Sequence, residues 1–121
     1  MRIVSGSLRG RNIDTPTGKT TRPTSDQTRE SIFNILAHAE WAPPLEGAIV
    51  ADIFAGSGAL GLEALSRGAA HCTFVEQDQQ ALKALEKNIE TLDADADVKI
   101  GSVLHLGQAR KPYDLILMDP P

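Results

Sequence analysis

The chain has 121 residues, 41% of them hydrophobic and 23% charged, which fits one globular domain and excludes general disorder. No apolar run reaches the roughly 18 residues of a membrane-spanning helix, and Met1-Arg2-Ile3-Val4-Ser5-Gly6 lacks the apolar stretch of a secretory signal, so a cytoplasmic location is expected. One cysteine, Cys72, excludes an internal disulfide framework, the three histidines show no ligand spacing and no metal is expected, and the net charge of −4 is unevenly spread.

Residues 1–30 carry six basic and three acidic side chains, a net of +3, against six and thirteen, a net of −7, in residues 31–121. An acidic body with a basic N-terminal arm predicts that a polyanion is held by the arm. Arg9, Arg11, Lys19, Arg22 and Arg29 are its candidate contacts. Arg22 and Arg29 carry a second reading, in which a helix-start loop uses arginine to pair with Asp26 or Glu30.

In chain order, Arg2-Ile3-Val4-Ser5 and Arg11-Asn12-Ile13-Asp14 read as two strands of a hairpin punctuated by Gly6 and Gly10. Residues 15–24 are rich in turn formers and read as a loop. A helix is predicted after Ser25, with Ile32, Phe33, Ile35, Leu36 and Ala39 on its buried face, and Pro43-Pro44 beyond it. This extension is assigned to residues 1–46 and the main domain to residues 47–121. From Ala48 the pattern becomes strand–helix alternation. The predicted strands are 48–53, 72–75, 98–100 and 115–118. The predicted helices span about 59–67, ended by Gly68, and a segment capped by Asp78 whose Leu82, Leu85, Ile89 and Leu92 share one face. Repeated β-α-β units imply an open, mostly parallel α/β sheet.

Asp52-Ile53-Phe54-Ala55-Gly56-Ser57-Gly58-Ala59-Leu60-Gly61 follows a predicted strand and opens a predicted helix, the context that gives G-x-G-x-x-G its meaning. Gly56 is expected to allow the tight turn, Gly58 the close approach of backbone to ligand, and Gly61 close helix–strand packing. Glu76 ends the second strand, where a carboxylate can accept hydrogen bonds from ribose hydroxyls. The cofactor is then a dinucleotide or S-adenosylmethionine. Asp52 would repel a pyrophosphate but suits a cationic amino group, which favours S-adenosylmethionine. Asp52 also has a plainer reading as a cap of the turn. Asp119-Pro120-Pro121 follows the last strand at the ligand-binding edge of such sheets, where Asp119 and the Pro120 carbonyl can face one exocyclic amino group.

Asp-x-Phe-Ala-Gly-Ser-Gly, an acidic second-strand end and Asp-Pro-Pro together resemble a Rossmann-like class I methyltransferase acting on a nucleobase amino nitrogen. Arg2-Ile3-Val4-Ser5-Gly6, Gly10-Arg11, Thr21-Arg22-Pro23-Thr24-Ser25-Asp26 and Arg29-Glu30-Ser31-Ile32-Phe33-Asn34-Ile35-Leu36 narrow the resemblance to the RsmD family. The resemblance implies methyl transfer from S-adenosylmethionine to N2 of a guanine in 16S ribosomal RNA, within the small subunit or its precursor, by a protein monomeric when complete. It implies cofactor contacts from Asp52, Phe54, Ala55, Gly56, Ser57, Gly58, Gly61 and Glu76. It also implies a role for Asp119, Pro120 and Pro121 in holding the target amine. Ser102 stands where the family carries an acidic residue near the adenine amino group. The family also continues with an aromatic residue after Asp-Pro-Pro, so a whole protein of roughly 180–200 residues is expected. The competing readings are a nicotinamide-dependent oxidoreductase on a similar fold and a cofactor- or RNA-binding fragment without catalysis.

Overall fold

Parallel strands need crossover connections, and from Ile49 onward this chain supplies one helix for each of the first two crossovers. The computed structural model describes residues 1–16, 24–109 and 111–121. Its elements run α1 (Asp26–His38), β1 (Ile49–Ile53), α2 (Ala59–Ser66), β2 (His71–Glu76), α3 (Gln79–Leu92), β3 (Ala96–Ile100), a 3-10 turn (Val103–His105) and β4 (Leu115–Met118). The strand order is β3-β2-β1-β4, and every neighbouring pair is parallel. The order steps outward from β1 through β2 to β3, then returns to the other side of β1 for β4. That reversal opens a crevice at the carboxyl ends of β1 and β4, the place where open α/β sheets bind ligands.

Burial explains the apolar runs. Val50, Ala51 and Asp52 of β1 and Cys72, Thr73, Phe74 and Val75 of β2 are all buried, as expected for strands covered on both faces. Leu62 of α2 and Leu85 of α3 are fully buried in the same core, each contributing roughly 1.5–3 kcal/mol of apolar transfer. Gly61 sits where α2 crosses β2: a Cβ there would lie 2.4 Å from Phe74 Cε1. Asp78 caps α3 by accepting the Ala81 N–H at 2.9 Å.

The expected N-terminal hairpin forms: Arg2 bridges Asn12, the Ile3 N–H donates to the Arg11 carbonyl at 3.0 Å and the Ile13 N–H to the Met1 carbonyl at 2.7 Å. Its turn also docks on α2, the Ser7 N–H donating to the Ser66 carbonyl at 2.8 Å and the Leu8 N–H to Ser66 Oγ at 2.9 Å. Ile3 and Ile13, each 2% exposed, are pressed into the shared core. Three details differ from the sequence-based expectation. In α1, Ile35 faces outward, because the buried face is centred on Arg29 and Phe33 while Ile32 and Leu36 flank it. Strand β3 begins at Ala96, two residues early, because Ala96 and Asp97 pair with Cys72 and Thr73. His71 secures this start, its two ring nitrogens lying 2.6 Å from Asp95 Oδ1 and Asp97 Oδ1. Finally, Arg29 takes the second of its two readings, pairing with Asp26, and is not a surface cation. It is fully buried, bonded to Glu63 Oε1 at 3.2 Å, to the Arg2 carbonyl at 2.9 Å, and to Asp26.

Candidate functional site

The turn after β1 is built from backbone conformations that side chains resist. Gly56 and Gly58 have φ of 59° and 89°, and Phe54, with φ of 62°, holds the same left-handed region without glycine's freedom. The open side of Gly56 meets no atom within 4 Å, so its backbone faces free space. Gly58 does not. A Cβ on Gly58 would lie 2.6 Å from Leu85 Cδ1, so this glycine serves core packing against α3, and Gly56 is the one that presents bare backbone to the crevice.

Two carboxylates hold the turn. Asp52 is 1% exposed and accepts the Gly61 N–H through Oδ2 at 2.9 Å, so the capping role is present. Burial is the main cause that pushes its carboxyl up to about 8; the Gly61 N–H works against this, and Asp119 and Glu76 add like-charge repulsion. Glu76 accepts the Gly56 N–H through Oε1 at 2.8 Å and the Gln77 and Asp78 N–H groups through Oε2 at 3.0 and 2.9 Å. It therefore ties the glycine turn to the start of α3 while still lining the cleft.

Two concavities meet here. A cavity of about 120 Å³ is lined by Asp52, Ala55, Ser57 and Thr24, and a cleft of about 770 Å³ by Glu76, Ser102, Pro120 and Pro121. Phe54, Gly56 and Asp119 line both. Asp119 Oδ2 accepts the Thr24 hydroxyl at 2.5 Å. Ser102 caps the 3-10 turn by accepting the Leu104 N–H at 3.2 Å. Gly58 and Gly61 lie outside both linings, in the packing behind the turn.

The basic arm is less concentrated than its sequence implies. Lys19 and Arg22 lie outside the described residues. Arg9 and Arg11 are exposed, and Arg11 Nη2 donates to the Thr91 carbonyl at 3.1 Å, in the last turn of α3. Because α3 runs away from the crevice, Arg11 stands at the far end of that helix from Asp119. Arg29 is buried, and of the described candidate cations of the arm neither Arg9 nor Arg11 lines either concavity.

Two residues escaped the sequence reading. Thr24 lies in the Arg-Pro-Thr stretch, which pointed to it without giving it a chemical role. Asn88, 2% exposed, exchanges bonds with the Asp14 backbone (2.8 and 2.9 Å) and donates to the Ser57 carbonyl at 3.0 Å. It pins the N-terminal segment to the glycine turn. Its signal was an asparagine interrupting the apolar stripe of Leu85 and Leu92.

The arrangement offers a buried carboxylate, an open glycine backbone and a cleft-edge carboxylate facing one junction. Among known proteins, the profile of the family described as conserved hypothetical protein 95 matches residues 1–121. The chain is 42% identical over 123 residues to ribosomal RNA small subunit methyltransferase D of Escherichia coli K12, covering 100% of this chain and 60% of that protein. It is 39% identical over 127 residues to the YlbH protein of Bacillus subtilis, covering 100% of this chain and 66% of that one. Its backbone superposes on the solved yhhF structure of Escherichia coli with a TM-score of 0.84 at 43% identity, covering 100% of this chain and 64% of that one. The chain thus spans 60% to 66% of the length of these curated relatives. The sheet and its glycine turn have the Rossmann-like class I methyltransferase fold.

Proposed function

The chain belongs to the RsmD family, described as conserved hypothetical protein 95, and from that premise we propose that it forms the donor site and part of the acceptor site of an S-adenosylmethionine-dependent methyltransferase acting on guanine N2 of 16S ribosomal RNA. The observation that carries this reading is the junction of two concavities at Asp119. The residues fit the cofactor. Asp52, buried and lacking a cation among the described residues, suits the ammonium of the methionine end, and the first turn of α2 supplies backbone N–H groups for its carboxylate. Glu76, at the edge of the larger cleft, suits the ribose hydroxyls, and Ser102 the adenine side. The methyl group would then lie near the shared wall of Phe54, Gly56 and Asp119.

S-adenosylmethionine would supply an electrophilic methyl on a sulfonium whose thioether leaves without acid help. The protein's part is placement. The guanine amine is a weak nucleophile because its lone pair is delocalised into the ring. Hydrogen bonds from its protons to Asp119 and the Pro120 carbonyl would aim that lone pair at the methyl. The Asp119 carboxylate would also offset positive charge growing on nitrogen. Exposed Arg9 and Arg11 would contact flanking RNA phosphates.

A nicotinamide cofactor fits poorly, because Asp52 lies where the pyrophosphate of a dinucleotide would approach the turn. The test is incubation of the full-length protein with S-adenosylmethionine and small-subunit RNA, followed by nucleoside digestion and mass spectrometry. Accumulation of N2-methylguanosine supports the reading. Tight binding of NAD without any methylated nucleoside contradicts it.

A further inference from the structure

Asp119 does not stand alone at the junction. The Thr24 hydroxyl donates to Asp119 Oδ2 at 2.5 Å, and among the described residues no donor engages Oδ1. We propose that Thr24 is the positioning residue of the acceptor site, its hydroxyl fixing the Asp119 carboxylate so that Oδ1 points at the incoming amine. The proposal rests on the methyltransferase reading above.

The chain holds Thr24 in place from a distance. Thr24 precedes Ser25, the N-cap of α1, whose Oγ accepts the Thr28 N–H at 3.1 Å and whose carbonyl accepts the Arg29 N–H at 3.0 Å. Arg29 is clamped in turn to Glu63 of α2 at 3.2 Å, with both side chains fully buried. The start of α1 is therefore rigidly tied to the helix that follows the glycine turn, and Thr24 projects from that rigid start. Met1, Thr15 and Pro16 also line the smaller cavity, so the N-terminal segment builds part of the site as well as carrying cations.

The chemistry explains why a hydroxyl is wanted. An unsupported carboxylate on an exposed strand end rotates freely. A donated hydroxyl removes that rotation and compensates one oxygen, leaving the other for the amine. Threonine supplies the bond with a branched side chain that has few rotamers to choose from.

The experiment compares Thr24→Val and Thr24→Ser in the full-length protein, each alone and each combined with Asp119→Ala. Thr24→Val keeps the shape and removes the hydroxyl, so kcat for RNA methylation should fall roughly 10- to 100-fold. Calorimetric affinity for S-adenosylhomocysteine should stay within about twofold, and Thr24→Ser should restore most of the rate. In the Asp119→Ala background, Thr24→Val should cost nothing further, the non-additivity expected of residues acting as a unit. Full activity in Thr24→Val, an additive loss with Asp119→Ala, or a loss traced to cofactor affinity each overturns the role. A wild-type protein that methylates no RNA overturns the methyltransferase reading itself, and with it this proposal.

Discussion

At the residue scale, the three glycines of one motif do two different jobs, and only contact geometry separates them. The spacing of Gly56, Gly58 and Gly61 marks a ligand-binding turn, but spacing does not say which glycine faces the ligand. Gly58 meets Leu85 and Gly56 meets open space. Gly58→Ala should therefore lower unfolding stability by about 1–3 kcal/mol with little direct effect on S-adenosylhomocysteine affinity, whereas Gly56→Val should weaken S-adenosylhomocysteine binding more than it weakens the fold. Denaturant melts and calorimetric titrations of both variants separate the two outcomes. Asp52 supplies a second prediction. Its carboxyl is raised to about 8, mainly by burial, so it favours the fold when protonated. That contribution is fully present below the ordinary value of 3.8 and is lost as pH rises through about 8. A ligand ammonium beside Asp52 favours the ionised form, so cofactor binding near pH 7 should release a proton. Titrations in buffers of different ionisation enthalpy should detect that release in the wild type and lose it in Asp52→Asn. Equal proton release by both would remove Asp52 from the ammonium site.

At the element scale, α1 is held by charge as much as by apolar contact. Glu63, fully buried on α2, bonds Arg29 at 3.2 Å and Arg67 Nε at 2.9 Å and accepts the Val4 and Ser5 N–H groups at 2.9 and 3.0 Å. Arg67 in turn lies 4.9 Å from the Phe33 ring centre. Removing one partner strands buried charge, so Glu63→Ala or Arg29→Ala should cost about 3–5 kcal/mol, visible as a large drop in Tm. Stability within 1 kcal/mol of wild type would mean that water replaces the lost partner. The strand–helix alternation from Ile49 was legible because buried parallel strands and amphipathic helices leave clear periodic signals. In the network, the Arg29–Asp26 pair was legible from its local spacing but the Arg29–Glu63 pair was not, because pairing across 34 residues leaves no periodic trace. The same blindness made Ile35 look buried.

At the scale of the molecule, the strand order reverses at β1 and brings Asp52, Asp119 and the glycine turn to one edge. Motif order in the sequence already implied that edge. It did not reveal that the N-terminal segment is folded into the same core through Ile3, Ile13 and Phe33, or that Asn88 and Thr24 join it to the site. The exposed cations of the arm should act on RNA alone. Neutralising Arg9 and Arg11 together should reduce the slope of log affinity against log salt by up to about 2 and leave S-adenosylhomocysteine affinity unchanged. An unchanged slope would place the RNA on another face.

The central claim is that donor and acceptor are held by separate groups meeting at Asp119, and Asp119→Ala in the full-length protein tests it most directly. Calorimetric affinity for S-adenosylhomocysteine should stay within about twofold of wild type while methyl transfer to small-subunit RNA falls by roughly 100-fold or more. Loss of cofactor affinity in parallel with the rate, or retention of most of the rate, would contradict the account.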